Sequence, residues 1–114
     1  MFYKDNGPGS FVTFNKIENY DGETKTISLD DFVSKRGIEK VDFIKMDIEG
    51  AEQAALKGSL NTIKKFKPIL AVAIYHNDDD FYNIPKILID LGYKIYINHY
   101  TIHQEETICF AIPS

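Results

Sequence analysis

The strongest constraint on the fold is residues 41–53, VDFIKMDIEGAEQ, in which a short apolar run passes directly into a helix-forming run. A short strand that leads straight into a helix is typical of the crossover units of parallel sheets. If the apolar run is extended, Ile44, Met46 and Ile48 share one face, and Phe43 lies on the other. Apolar residues on both faces indicate a strand that is covered on both sides, as in α/β proteins.

The pattern further along the chain predicts more strands and helices in alternation. Residues 68–76, PILAVAIYH, are the most apolar stretch and predict a central parallel strand that starts at a proline. Apolar residues recur at helical spacing over residues 84–91, and Pro85 suits the first turn of that helix. Residues 93–100 and 107–112 alternate as strands, and the short connection between them permits only antiparallel pairing. The predicted fold class is therefore α/β, with a mostly parallel sheet that closes with an antiparallel hairpin.

Capping residues predict where the other helices begin and end. Ser28 and Asp31 fit a capping box at the start of a helix that ends at Gly37. Further helices are predicted over residues 49–57 and 60–65, because Gly58 disfavours one continuous helix.

The length predicts a single domain that spans residues 1–114. Within it, residues 1–27 predict irregular structure or short strands, at residues 10–15 and 24–27. Residues 28–114 form the α/β portion.

Composition excludes several classes of function. The net charge of −4 argues against general binding of nucleic acid, which requires a basic surface. A single cysteine, Cys109, rules out an internal disulfide and fits a reducing compartment. No apolar run reaches the roughly 18 residues that a membrane-spanning helix needs, and the N-terminus lacks a signal-peptide pattern. We therefore expect a cytoplasmic protein with neither a nucleic-acid nor a membrane partner.

Polar residues follow the two predicted parallel strands, where open α/β sheets bind their ligands. Asp47 and Glu49 follow the first strand, and His76 follows the second. An imidazole beside carboxylates can act as a general base, and the same three side chains can instead hold one divalent metal ion. A purely structural role is the third alternative, with Asp47 paired to lysine, Glu49 at a helix N-terminus and His76 bonded to a loop.

Several sequence blocks resemble the FkbM-type methyltransferases. They are LDD at residues 29–31, DFIKMDIEGAE at 42–52 and KPILAVAIYH at 67–76. Shorter matches extend the resemblance over roughly residues 26–113, and they are Ile84-Pro85, Asn98-His99-Tyr100 and Glu106-Thr107-Ile108. The resemblance implies a Rossmann-like fold that uses S-adenosylmethionine to methylate a hydroxyl group on a small molecule or glycan.

The resemblance also implies roles for individual residues. Asp47, Glu49 and His76 would be catalytic, and Asp30 and Asp31 would contribute to cofactor binding. The alternative for both aspartates is that their charge stabilises the start of a helix. Residues expected to contact the acceptor substrate are Glu52, Tyr75, His99 and Tyr100.

The donor-binding part of such a fold is not recognisable in the sequence. That part normally supplies a glycine-rich loop after the first strand, and Gly7-x-Gly9 has no buried strand before it. We therefore expect the C-terminal half of a methyltransferase sheet, a partial domain that is weakly active or inactive alone. The alternative is a non-catalytic α/β interaction module, or a subunit that completes a separate N-terminal half.

The missing first strand has a consequence for partners. The strand over residues 41–48 would have an open edge, and exposed strand edges pair with other strands. We expect a homodimer, another partner that covers this edge, or coverage by residues 10–27.

Overall fold

The computed structural model describes residues 2–4, 11–13, 22–23, 26–99 and 107–114. The elements in these ranges are, in chain order, β1 (Phe2–Lys4), β2 (Phe11–Thr13), β3 (Gly22–Glu23), α1 (Leu29–Arg36), β4 (Phe43–Met46), α2 (Glu52–Lys57), α3 (Leu60–Phe66), β5 (Ile69–Ala73), α4 (Asp80–Asp90), β6 (Tyr93–His99) and β7 (Thr107–Pro113).

A four-stranded sheet in the order β4-β5-β7-β6 confirms the predicted α/β class. Strands β4 and β5 are parallel, with Phe43 opposite Ile69 and Met46 opposite Val72. Strand β7 lies between β5 and β6 and is antiparallel to both. Three of the four strands therefore point the same way, and β6 and β7 form the predicted antiparallel hairpin.

The first helix begins and ends where its capping residues predict. The Ser28 hydroxyl accepts a hydrogen bond from the backbone N–H of Asp31 at 3.1 Å, and Gly37 ends the helix with a φ of 61°. Residues 26–27 are not in a strand, which corrects the prediction for that end of residues 24–27.

The segment after β4 departs from the predicted helix over residues 49–57. Helix α2 begins only at Glu52, because Glu49 and Gly50 have positive φ values of 56° and 103°. The predicted break between α2 and α3 is confirmed at Gly58. A Cβ added to Gly58 would lie 3.0 Å from the Cβ of Ser28, so the close approach of the chain explains the glycine.

Helix α4 begins four residues before the expected start. The Asp80 carboxylate accepts a hydrogen bond from the Asn77 backbone N–H at 3.0 Å, and this contact organises the turn before the helix. Pro85 therefore lies inside α4 rather than in its first turn. The predicted apolar stripe is correct, since Ile84 and Leu88 are both fully buried.

In the described residues, a cluster of buried side chains joins the four-stranded sheet to the helices. Its members come from β4, β5, β6, β7, α2, α3 and α4 and include Leu56, Ile63, Leu70, Ile84 and Leu88. No helix in the described ranges is long and apolar enough to cross a membrane.

Strand β4 is the outer strand of its sheet in the described part of the chain. Phe43 is 54% exposed, so the prediction that this strand is covered on both faces is wrong. Strands β1, β2 and β3 form a separate sheet in the order β2-β1-β3, and none of them pairs with β4. The expectation that residues 10–27 cover the β4 edge is therefore not met by the residues that the structure describes there.

Candidate functional site

The candidate site starts from a tight loop, residues 47–51, that follows β4. Glu52, the first residue of α2, is fully buried and turns its carboxylate back toward this loop. Its oxygens accept hydrogen bonds from the backbone N–H of Ile48 at 2.6 Å and of Gly50 at 3.1 Å. Two backbone donors on one carboxylate hold the loop in its left-handed conformation. They thereby fix the backbone positions from which the side chains of Asp47 and Glu49 project.

His76 follows β5 and meets this loop. Its Nδ1 lies 3.1 Å from Oε1 of Glu52, within hydrogen-bonding distance. Its Nε2 lies 3.5 Å from Oδ1 of Asp47 and 3.5 Å from Oε2 of Glu49. A separation of 3.5 Å exceeds the usual N–H···O range of about 2.7–3.2 Å. Nε2 is therefore close to two carboxylates, yet it is buried without a hydrogen-bond partner among the described residues.

Tyr75 adds a hydroxyl to the cluster. Its O–H donates to Oδ1 of Asp47 at 3.0 Å, and its ring centroid lies 4.0 Å from that of His76. Burial raises the pKa of Tyr75 well above its usual value, and the hydrogen bond to Asp47 and the charges of Asp47, Glu49 and Glu52 raise it further. Tyr75 is therefore a neutral hydrogen-bond donor over the physiological pH range.

Three residues that sequence reasoning missed support the cluster: Gln53 in α2, Asn77 before α4, and Asp80 at the start of α4. The Asn77 side chain donates to the backbone carbonyl of Gly50 at 2.9 Å. The buried Asp80 carboxylate accepts from the Gln53 side chain at 2.7 Å. Asn77 and Asp80 lie in the polar run NDDD that directly follows His76. The position of this run next to a candidate site residue was the sequence signal that could have identified them.

Asp30 has a structural position at the N-terminus of α3. Its carboxylate accepts from the Asn61 backbone at 3.1 Å, the Thr62 backbone at 2.8 Å and the Thr62 hydroxyl at 2.7 Å. Burial alone would raise the pKa of Asp30, but the hydrogen bonds from Thr62 and Asn61 outweigh it and lower the pKa below its usual value. Asp31 is exposed. The cofactor-binding prediction for both aspartates stays a prediction.

The residues predicted to contact the acceptor substrate do not lie together in one place. Tyr75 lies in the cluster, whereas the buried Glu52 has no surface left for a substrate and is revised to a positioning residue. His99 ends β6 and its Nδ1 lies 2.7 Å from the Thr107 hydroxyl. The carboxyl ends of β4, β5 and β6 lie at one edge of the sheet, which we call the rim. Strand β7 separates β6 from β5, so His99 lies on the same rim as His76 but about 10 Å away. Tyr100 lies outside the described residues.

Beside the cluster, an apolar groove of about 900 Å³ runs between β4, α1 and α2. Its walls include Ile44, Met46, Phe32 and Ala55, and Ile48 and Ala51 bring it to the loop that carries Asp47 and Glu49. The open side of β4 therefore has an apolar surface next to the polar rim.

Comparison with known proteins identifies the family. The family model of the methyltransferase FkbM domain matches residues 4–95, most of the chain. The chain belongs to the FkbM methyltransferase family. The match includes residues before position 26 that the sequence blocks did not cover, and it stops within β6.

A crystal structure of methyltransferase FkbM from Methylobacillus flagellatus KT is also similar to this FkbM-family chain. The two are 37% identical, with a TM-score of 0.56 over 60% of this chain and 19% of the other chain. The comparison with curated proteins returned no match.

Proposed function

We propose that this chain provides the acceptor side of an S-adenosylmethionine-dependent O-methyltransferase. The observation that carries the proposal is the convergence of Asp47, Glu49, His76 and Tyr75 at the carboxyl ends of β4 and β5 in a chain of the FkbM family. Ligands of open α/β sheets bind at this edge.

The reaction requires that an acceptor hydroxyl lose its proton while its oxygen bonds to the methyl carbon. The bond from that carbon to the donor sulfur breaks, which leaves S-adenosylhomocysteine, a methyl ether and a proton. The side chains of Asp47 and Glu49 are 40% and 41% exposed, so a hydroxyl can reach them, whereas His76 is 10% exposed and lies behind them. The two carboxylates are therefore placed to meet the acceptor, and the Tyr75 hydroxyl orients Asp47 through its hydrogen bond.

The donor is proposed to bind mainly to a part of the fold that residues 1–114 do not provide. No glycine-rich loop follows a buried strand in this sequence, and the chain spans 19% of the FkbM chain from Methylobacillus flagellatus KT. The α/β portion over residues 28–114 is thus proposed to be a partial methyltransferase domain that is inactive alone. The single cysteine favours a reducing, cytoplasmic location.

A non-catalytic interaction module is the second candidate, and the open β4 edge favours it. The outer edge of β4 can offer main-chain hydrogen bonds to another strand. Exposed Phe43 on one face of β4, and the groove lined by Ile44 and Met46 on the other, offer apolar surface. A second copy of this chain is the partner that we propose for that edge. Light scattering during size-exclusion chromatography tests it, because a monomer at all concentrations would contradict the dimer.

Methyl-donor binding and transfer test the catalytic proposal. We expect no tight binding of S-adenosylmethionine to this chain by calorimetry. Transfer of a labelled methyl group to hydroxyl acceptors should require a second chain that carries the glycine-rich loop of a family member. In that complex, Asp47→Asn should reduce transfer about 10²–10⁴-fold, the usual contribution of a general base. Asp90→Asn, on the exposed end of α4, is the matched control.

Two results would contradict the proposal. Tight donor binding by the chain alone would show that its own residues form the donor pocket. Transfer at an unchanged rate by the Asp47→Asn complex would remove this cluster from the reaction.

A further inference from the structure

His76 Nε2 faces a carboxylate oxygen from each of two neighbouring residues. Oδ1 of Asp47 and Oε2 of Glu49 both lie 3.5 Å from this nitrogen. Candidate ligand atoms from the three residues all lie within 4.8 Å of one another. The His76 side chain is 10% exposed, and Nε2 has no hydrogen-bond partner in the described part of the chain. A buried polar atom without a partner in a native protein requires an explanation.

Glu52 determines which nitrogen of His76 carries the proton. Its carboxylate already accepts from the backbone N–H groups of Ile48 and Gly50, and a glutamate carboxylate only accepts hydrogen bonds. His76 Nδ1 is therefore the donor across the 3.1 Å contact with Oε1 of Glu52. In the neutral imidazole, the lone pair of Nε2 then faces two carboxylate oxygens, which is repulsive unless a positive charge lies between them.

We propose that Asp47, Glu49 and His76 bind a divalent transition-metal cation through His76 Nε2 and one oxygen of each carboxylate. Donors that lie about 2.1 Å from a tetrahedral Zn²⁺ are about 3.4 Å apart. The 3.5 Å distances from Nε2 to each of the two carboxylates are close to that value. One imidazole with two carboxylates suits Zn²⁺ or Mn²⁺, whereas Mg²⁺ and Ca²⁺ prefer oxygen ligands alone. The hydrogen bond from His76 to Glu52 is the outer contact that orients a metal-binding histidine.

The exposure of the two carboxylates indicates what the site is for. Three protein ligands with solvent on the carboxylate side leave a coordination position open, as in catalytic rather than structural zinc sites. A hydroxyl bound at that position would have its pKa lowered by the metal. This purpose rests on the proposed function, whereas metal binding itself does not.

Titration of the full chain with Zn²⁺, followed by calorimetry, tests the proposal. We expect one high-affinity equivalent. His76→Gln should weaken binding about 100-fold or more, and Glu52→Gln should weaken it about 10–100-fold because the histidine loses its orientation. His99→Gln is the matched control, since it is the same substitution on the same rim, and it should leave the affinity unchanged. Equal affinity of His76→Gln and wild type would overturn the proposal.

Nitrogen-15 spectra of the wild-type histidine rings give a second readout that does not depend on a variant's folding. Zn²⁺ should shift the Nε2 resonance of His76, while Nδ1 keeps its proton. The proposal fails if Zn²⁺ shifts only the resonances of His99 or His103. It fails also if Nε2 of His76 carries a proton in the presence of Zn²⁺, and the positive charge at this position is then that proton.

The two proposals can fail separately. Stoichiometric Zn²⁺ on His76 with no methyl transfer in any complex would leave the metal site intact and remove the proposed reaction. Methyl transfer that Asp47→Asn abolishes, from a chain that binds no Zn²⁺, would do the reverse.

Discussion

Replacing Glu52 with glutamine tests whether one buried carboxylate organises the rim. Glutamine has the same shape but replaces one acceptor oxygen with an NH₂ group. If the amide oxygen faces Gly50 and His76, the NH₂ meets the Ile48 N–H; if the amide is reversed, it meets the Gly50 N–H. Either orientation leaves one backbone N–H without an acceptor.

The expected loss follows from that unpaired donor. A buried donor without a partner costs about 1–3 kcal/mol, so Glu52→Gln should lower the free energy of unfolding by about this amount. Glu49→Gln is the matched control, because the same substitution three residues away affects a side chain that is 41% exposed. We expect the control to change stability by less than about 0.5 kcal/mol.

Urea unfolding in the presence of a chelator measures both variants without a contribution from bound metal. Amide hydrogen exchange locates the effect, since the N–H groups of Ile48 and Gly50 should lose protection in Glu52→Gln and keep it in Glu49→Gln. Equal stability of the two variants would refute the view that Glu52 holds the loop.

Three further predictions concern the scaffold. Asp30→Asn should cost about 0.3–1 kcal/mol at neutral pH, because the N-terminus of α3 loses a neighbouring negative charge. Since the folded pKa of Asp30 lies below its ordinary 3.8, that advantage of the wild type is present above pH 3.8 and should vanish in urea titrations as the pH falls through the folded pKa. Burial raises the pKa of Cys109 to about 11, so a thiol reagent at pH 8 should label it only after unfolding. Leu56→Ala, at a fully buried site, should cost about 2–5 kcal/mol in urea unfolding. Ile89→Ala, at a side chain that is 57% exposed, should be nearly neutral in the same assay.

The rim was predictable because it depends on a general rule of parallel sheets. Residues after two neighbouring parallel strands must meet at one edge, so Asp47 and His76 could be paired from their positions alone. The caps at Ser28 and Gly37 were predictable for a similar reason, since side-chain and backbone preferences at helix ends are local.

The loop after β4 was not predictable from local preference. The run EGAEQ is rich in helix formers, yet Glu49 has a φ of 56°. The reason is that Glu52 accepts hydrogen bonds from the N–H groups of the loop and contacts His76, which follows a different strand. Asp30 shows the same limit. An aspartate in the first turn of α1 fits its own helix, and only the packing of α1 on α3 reveals that it caps the other one.

A stability measurement can distinguish the structural role of Glu52 from the ligand-binding role of Asp47. Without a cation, Asp47 lies beside two other carboxylates that contact His76, so Asp47→Asn should leave stability unchanged or raise it by up to about 1 kcal/mol. The asparagine oxygen can still accept the Tyr75 hydroxyl. With Zn²⁺ at about a hundred times its dissociation constant, the wild type should gain about 2.7 kcal/mol and become the more stable of the two. Urea unfolding with and without Zn²⁺ measures this reversal, and Glu52→Gln should be the less stable protein under both conditions. If Asp47→Asn destabilises the metal-free protein, measured in the presence of a chelator, as much as Glu52→Gln does, then Asp47 has a structural role. Its position at the rim then needs no ligand to explain it.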